Sequence, residues 1–239
     1  MVATSPFQRL QGELATLIAS VPAGERLPSE PKLAKQLGVS RATLREAMRT
    51  FETQGSIRRR QGAGTFVVGQ APVLESGLEA LESIPTMAKR MGLEAVKVKK
   101  LKVETVFANA KQAQKLGVPL ETPLTRVSRV ISTSKRAAAY LIDILPAEFL
   151  SVDEFPKNFK GSVLDFMLER GDFPTVARVG VNATSAKSDV AKALEIQRGD
   201  VLLRISSRIY LASEEVVDYS LGYFLPGYFD FHVLAHVQP

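Results

Sequence analysis

Two short amphipathic segments separated by a glycine turn constrain this chain more than any other feature of its sequence. Apolar residues recur at helical spacing over 33–37, and Gly38 then supplies the left-handed residue on which helices commonly end. Only Val39 separates this glycine from Ser40, whose side chain suits the N-cap of a following helix. Two short helices joined by so tight a turn predict a helix-turn-helix.

The segments on either side complete a small winged unit. An amphipathic helix is predicted over about residues 5–20, before the helix-turn-helix. The second helix ends near Gly55, and two strand-like runs, 56–60 and 65–68, follow around the glycine-rich turn 61–64. A hairpin in this position is a wing, and its glycines let the backbone approach a groove or a phosphate without a Cβ in the way.

The helix that begins after Ser40 has two different faces. Its apolar residues fall at i, i+3, i+4 and i+7 and form the predicted buried stripe: Leu44, Ala47, Met48 and Phe51. Arg41, Arg45 and Arg49 recur at i, i+4 and i+8 on the opposite face. A solvated face usually mixes Lys, Glu and Arg, whereas arginines in the opening turns are typical of a recognition helix that contacts base edges.

The net charge of +6 is concentrated in the same region. Residues 1–70 hold ten Lys and Arg against five Glu, a balance of +5, so the rest of the chain contributes only +1. A basic segment joined to a nearly neutral one indicates a polyanion-binding unit attached to a body with another role. On composition alone, a solvated charged surface remains the alternative.

Composition and motifs argue against several other classes of protein. A chain of 239 residues suggests two domains. Without cysteine, and with His232 and His236 as the only imidazoles, no disulfide, metal centre or cysteine nucleophile is expected. No catalytic or nucleotide-binding motif is present, so no catalytic residue and no cofactor is expected. The chain has no apolar run near the roughly 18 residues of a membrane span and no signal peptide, which predicts a soluble cytoplasmic protein.

The remaining two thirds mix helical and strand periodicity. Helices are predicted over about 75–91, 109–117, 162–170 and 187–195, and strands from Val96 and over 124–133, 138–145, 200–210 and 215–224. The lysines that alternate with apolar residues after Val96 are expected on a solvated strand face. Because the elements follow no regular βαβ order, the prediction is an α+β fold with a mainly antiparallel sheet.

The N-terminal pattern resembles the winged helix-turn-helix domain of the GntR family of bacterial transcription regulators. The matching residues are Leu27-Pro28-Ser29-Glu30, Leu33-Ala34, Leu37 through Arg41, Thr43-Leu44-Arg45, Gly55, Gly62 and Gly64 through Val67. The resemblance implies that DNA bases and phosphates are contacted by Ser40, Arg41, Thr43, Arg45, Gln61 and Gly62. The family usually has an arginine that reads DNA where this chain has Pro31, and Lys32 is the candidate to replace it.

The rest of the chain resembles the effector domain of the HutC branch of the same family, called the UTRA domain. The matching pieces are 77–79, 83–84, Arg129, 145–146, 162–166, 191–203 and 216–223. The resemblance implies a chorismate-lyase-like α+β fold that binds a small-molecule effector and forms a homodimer. The implied organisation is a DNA-binding domain over 1–69, a linker over 70–76, and an effector-binding and dimerisation domain over 77–239.

The resemblance also implies which residues line an effector pocket. Carried over to this chain, they are Ser83, Arg129, Ser162, Asp218 and Tyr223. Each has a structural alternative: a helix cap for Ser162, a strand-surface position for Asp218 and Tyr223, and an ion pair for Arg129.

The pocket departs from relatives that bind phosphorylated sugars. This chain has Ile131 in place of a second basic residue and Leu141 in place of a strand glutamate, and Asp143 on the same strand face is the candidate replacement. We therefore expect a less anionic effector, with a carboxylate held by Arg129 in an otherwise apolar cavity that Asp218 and Tyr223 also line.

Three functions are compatible with these features. The first is a ligand-responsive regulator, a repressor of a metabolic operon that binds a palindromic operator as a dimer and is released or tuned by its effector. The second is an enzyme of chorismate-lyase-like fold acting on a small carboxylic acid. The third is a DNA-binding protein whose C-terminal domain only dimerises. The DNA-binding head and the lack of a poised acid–base pair favour a regulator that is not an enzyme.

Overall fold

The computed structural model describes residues 6–22, 24–53, 56–60, 63–68, 74–93, 96–133 and 136–233. The chain divides into two compact units, Met1–Val73 and Leu74–Pro239. No helix in the described part of the chain is long and apolar enough to cross a membrane.

The first unit is a helix-turn-helix followed by a hairpin. Its elements are α1 (Pro6–Ser20), α2 (Glu30–Gln36), α3 (Arg41–Thr53), β1 (Ile57–Arg60) and β2 (Gly64–Val67). The two strands pair antiparallel, with Ile57 opposite Val67. Leu14, Leu33 and Leu44 bring one fully buried side chain from each helix into a common core. The predicted winged helix-turn-helix is confirmed.

Local signals fix the turn of this unit and the start of its wing. Gly38 follows α2 with a φ of +64°, and the Oγ of Ser40 accepts a hydrogen bond of 3.0 Å from the amide of Thr43 at the start of α3. Gly64 opens β2 with a φ of +109°, and a Cβ there would collide with the guanidinium of Arg26. Both glycines therefore occupy positions that a larger residue would strain.

The second unit is built on a six-stranded antiparallel sheet with the strand order β4-β5-β6-β9-β8-β7. Its elements are β3 (Leu74–Gly77), α4 (Ile84–Arg90), β4 (Val96–Phe107), α5 (Ala110–Leu116), β5 (Pro123–Thr133), β6 (Arg136–Pro146), a 3-10 turn (Val152–Glu154), α6 (Val163–Arg170), β7 (Val176–Ser185), α7 (Ser188–Leu194), β8 (Val201–Tyr210), β9 (Val216–Phe224) and β10 (Phe229–His232). The predicted α+β fold with a mainly antiparallel sheet is confirmed.

The two faces of this sheet pack against different helices. On one face, Leu116 of α5 packs with Ile142 and Tyr219. On the other face, Met87 of α4 packs with Ile131, and α6 packs against the same side of β5 and β9. The strand residues that face α4 and α6 therefore point into the space between the sheet and these helices.

The helix predicted over 75–91 is wrong in its first half. Only Ile84–Arg90 is helical, because Pro85 fits a first helical turn and Ser83 caps it. The preceding Leu74–Gly77 is strand β3, which pairs in parallel with β10. Residues 74–76, assigned to the linker by the sequence analysis, thus belong to this strand. Neither β7 nor β10 was predicted, although apolar residues recur at every second position in both: Ala177, Val179, Val181 and Ala183 in β7, and Phe229 and Phe231 in β10.

A candidate DNA-binding surface and a candidate effector cavity

The exposed side of α3 carries most of the residues predicted to contact DNA. Arg41, Thr43 and Arg45 are all exposed, while Leu44 between them is fully buried in the core. Lys32 is exposed on α2. Gln61 and Gly62, predicted at the tip of the wing, lie outside the described residues. The described part of the unit therefore presents two guanidinium groups and a hydroxyl from consecutive turns of one helix.

Ser40 and Thr43 form a polar pair at the start of α3. The Oγ of Ser40 accepts the Thr43 amide, and the two hydroxyl oxygens lie 2.8 Å apart. Such capping satisfies one of the amides that a helix start leaves without an intrahelical partner. The hydroxyl of Ser40 therefore has a structural role in addition to the DNA contact predicted for it.

An acidic residue that is not among the predicted contact residues connects the parts of this surface. Glu30, in the first turn of α2, places Oε2 at 2.6 Å from Nε of Arg45 and Oε1 at 3.6 Å from Nε of Arg59 in the wing. The Arg45 side chain keeps 57% of its exposure in this pair. The sequence feature that could have identified Glu30 is its position directly after Ser29, within the motif on which the family resemblance rests.

The three consecutive arginines of β1 divide into two kinds. Arg58 and Arg60 are exposed and, being two residues apart, lie on one face of the strand. Arg60 also stacks over the ring of Phe66 with 5.0 Å between its guanidinium carbon and the ring centroid. Arg59 is partly buried and lies between Glu30 and Glu52. The wing thus offers two accessible cations and uses the third for its own packing.

In the second unit, a cavity of about 140 Å³ lies between the sheet and the helices α4 and α6. Five of the six predicted pocket residues line it: Ser83, Arg129, Asp143, Ser162 and Asp218. Most of the remaining wall is apolar and includes Met87, Leu141, Ile205, Phe224 and Phe231. Leu141 is thus on the wall, as the expectation of an apolar cavity requires, whereas Ile131 is fully buried in the core beside α4.

Arg129 and Asp143 form a buried ion pair on the cavity wall. They come from the adjacent strands β5 and β6, and both residues are less than a tenth exposed. Burial lowers the pKa of Arg129 to about 10, against the attraction of the carboxylates of Asp218 and Asp165. The inward-pointing arginine therefore has a protein carboxylate as its partner, where the sequence analysis expected a carboxylate of the ligand.

Asp218 is the second buried carboxyl group of the wall. It is 1% exposed, and its Oδ1 accepts a hydrogen bond of 3.2 Å from the amide of Ile144 on the neighbouring strand. Burial raises the pKa of Asp218 to about 7, and the Ile144 hydrogen bond and the charge of Arg129 oppose this rise. Near neutral pH this group exists in both protonation states.

Asp165, which was not predicted, ties the starts of α4 and α6 together. Its carboxylate accepts hydrogen bonds from the hydroxyls of Ser83 (2.7 Å) and Thr86 (3.2 Å). Its own amide donates to the Oγ of Ser162 (3.1 Å), which caps α6. Ser83 in turn caps α4 by accepting from the Thr86 amide. The sequence signal was the spacing Ser162-x-x-Asp165, a common pattern at helix starts.

Tyr223 does not line the cavity with Asp218, so that prediction is wrong. The two residues are five positions apart on the regular strand β9, and an odd separation places side chains on opposite faces. Tyr223 lies on the α5 face, stacked on Tyr140 with 6.5 Å between ring centroids. Burial raises the pKa of its hydroxyl.

Comparisons with known proteins agree with this two-part architecture. Residues 7–67 match the bacterial regulatory proteins of the gntR family, and residues 91–230 match the UTRA domain. The HTH-type transcriptional repressor NagR of Bacillus subtilis is 27% identical over 186 residues, which cover 77% of this chain and 75% of NagR. A probable fructoselysine utilization operon transcriptional repressor of Escherichia coli is 26% identical over 219 residues, covering 89% and 86% of the two chains.

The crystal structure of PhnF from Mycobacterium smegmatis has the same fold. It aligns with a TM-score of 0.64 over 96% of this chain and 100% of PhnF, at 20% identity. NagR and the fructoselysine repressor are both transcriptional repressors, and neither supports the enzyme that the sequence left as an alternative. The chain therefore belongs to the GntR family of bacterial regulatory proteins, carries a UTRA domain, and is a transcription regulator rather than an enzyme.

Proposed function

We propose that this regulator represses a metabolic operon, binds a palindromic operator as a homodimer, and is tuned by a small effector in the cavity of its second unit. The observation that carries the DNA-binding part is the exposure of Arg41 and Arg45 on successive turns of α3, whose opposite face is buried. A regulator of this kind acts where the bacterial chromosome is, in the cytoplasm.

The proposed DNA contacts divide by chemistry. Arg41 and Arg45 can each donate two parallel hydrogen bonds to guanine or clamp a phosphate. Phosphates or neighbouring base edges are the proposed contacts of the other predicted residues: Ser40, Thr43, Lys32, Gln61 and Gly62. Lys32 directly follows Pro31, which occupies the position of the family's DNA-reading arginine. The symmetry of a dimer would match two half-sites of the operator.

The proposed effector contacts are Ser83, Arg129, Asp143, Ser162 and Asp218. Buried charges cost free energy that well-packed apolar residues would not, so a domain that only dimerises has no evident need for them. Three buried ionisable groups around a cavity therefore favour ligand binding over the purely dimerising alternative.

The test of the DNA-binding part is operator affinity measured by fluorescence anisotropy with duplexes from upstream of the neighbouring genes. Arg41→Ala and Arg45→Ala should each weaken operator binding by about 1–3 kcal/mol, and the double variant should weaken it further. Arg9→Ala, which removes an arginine exposed on α1, is the matched control and should leave binding close to that of the parent. Parent-like affinity of the double variant would refute the assignment of α3 as the recognition helix.

A further inference from the structure

The charges around the cavity do not balance. Arg129 lines the cavity from β5, Asp143 from β6 and Asp218 from β9, and the carboxylate of Asp165, in the first turn of α6, lies close enough to attract the charge of Arg129. One guanidinium thus stands among three carboxyl groups. Glu82, also on the wall, is paired with Arg90 by a contact of 2.9 Å. Among the described residues that line the cavity, Arg129 is the single cation.

That single cation is already engaged. Arg129 forms its ion pair with Asp143, and the carboxylate of Asp165 is held by hydroxyl groups, which are neutral donors. Asp218 accepts the neutral amide of Ile144. The elevated pKa of Asp218 agrees with this shortage of positive charge, because burial outweighs the attraction of Arg129. A second cation at the cavity would relieve the imbalance.

The size and the wall of the cavity limit the rest of the ligand. A volume of about 140 Å³ suits a compact molecule, roughly the size of a substituted benzene ring. Leu141, opposite Arg129 in the pairing of β5 with β6, and Ile209, opposite Asp218 in the pairing of β8 with β9, are aliphatic residues of the cavity wall beside the buried charges. A ligand that fits has an apolar body and one polar end.

We propose that the effector is a small organic cation, an amine or ammonium compound whose charged end lies at Asp218 and whose apolar body lies against the apolar part of the cavity wall. An anionic ligand would have to displace Asp143 from Arg129 and would meet the remaining carboxylates. This inference rests on the proposed effector role of the cavity and reverses the carboxylate ligand expected from the sequence.

Three probes of similar size and different charge separate the possibilities: 2-phenylethylamine, 2-phenylethanol and phenylacetate. Titration calorimetry on the full chain at pH 8, where Asp218 is mostly ionised and the amine is still protonated, should give the amine roughly tenfold or more tighter binding than either other probe. Its affinity should also rise between pH 6 and pH 8, while the affinity for the alcohol stays level.

Asp218→Asn is the decisive variant, because it removes the charge and keeps an acceptor for the Ile144 amide. It should lower the affinity for the amine by roughly tenfold or more and leave the affinity for the alcohol unchanged. Glu169→Gln removes the same charge from an exposed position of α6 and should change neither. If the Asn variant fails to fold, the pH dependence of amine binding in the parent tests the same point.

The failures of this inference and of the proposed function are distinguishable. Tighter binding of phenylacetate, equal binding of the alcohol, or no binding of any probe at millimolar concentration would overturn the cationic ligand. Amine binding that depends on Asp218 but leaves operator affinity unchanged would support the ligand class and refute the effector role of the cavity.

Discussion

The carboxylate of Glu30 lies 2.6 Å from Nε of Arg45 and 3.6 Å from Nε of Arg59, so a single acid links α2, the proposed recognition helix and the wing. Exposed ion pairs contribute little to folding, typically less than about 1 kcal/mol. The larger effect of this pair is to fix the direction of a long side chain that remains more than half exposed. Glu30 is therefore a positioning residue for Arg45.

Replacing Glu30 tests this role. Glu30→Gln should change the free energy of unfolding by less than about 1 kcal/mol. It should nevertheless lower the preference for operator over scrambled DNA, because Arg45 loses its fixed direction while the surface loses a negative charge that repels phosphates. Anisotropy titrations on both duplexes at one salt concentration measure the ratio. Glu46→Gln, at an exposed position on α3 next to Arg45, is the control, and equal ratios for the two variants would contradict the prediction.

The second unit should fold without the first. A fragment of residues 74–239 keeps its own core clusters and should be folded and dimeric, and it should not bind the operator. A fragment of 78–239 lacks β3 and with it the fully buried Leu74, so it should be less stable by about 2 kcal/mol or more. Urea unfolding and light scattering measure both properties. Operator binding by the longer fragment would show that the DNA site has been assigned to the wrong unit.

The stability of the second unit should depend on Asp218 through pH. Its pKa of about 7 in the folded state lies above the ordinary value near 3.8, so the folded protein holds a proton that the unfolded chain releases. The resulting stability is present in full below about pH 4 and is lost as pH rises through about 7. Asp218→Asn should remove this dependence and be more stable than the parent at pH 8.

The five tyrosines make this measurement specific, because all of them lie in the second unit and the chain has no tryptophan. Thermal unfolding followed by tyrosine fluorescence at pH 5 to pH 8 therefore reports on the unit that contains Asp218. Asp230→Asn, at an exposed position of β10, should keep the slope of the parent. A parent whose melting temperature is the same across this range would show that Asp218 stays ionised in the fold.

The elements that the sequence predicted well are those with local causes. The turn between α2 and α3 follows from Gly38 and Ser40, which act within a few residues of their place in the chain. The strand β3 depends instead on pairing with β10, about 150 residues later, and a short polar segment carries no sign of so distant a partner. The helical spacing after residue 75 therefore predicts a helix where residues 75–77 belong to a strand.

The residues of the candidate cavity show the same difference between features with local causes and features that depend on distant parts of the chain. Alternation within β5 indicated that Arg129 points inward, and the strand period alone could have separated Tyr223 from Asp218. The partner of Arg129 could not be predicted in this way, because it depends on which side chains of other strands and helices, such as Asp143 and Ser83, come close to Arg129 and to its neighbours in the fold. Only the assembled fold shows that Asp143 takes the arginine and that hydroxyl groups take Asp165.

The pairing of β3 with β10 also sets the length of the connection between the two units. Leu74 donates to the carbonyl of Tyr228 and Leu78 to that of His232, so the second unit holds the incoming chain from its first residue. Ser76 and Phe231, one from each strand, both line the cavity. Release of this four-residue strand would add about 13 Å of extended reach to the tether, more than a third of a helical turn of DNA. In the proposed dimer, an occupant that clamps or loosens the pair would thereby change which operator spacings the two DNA-binding units can span.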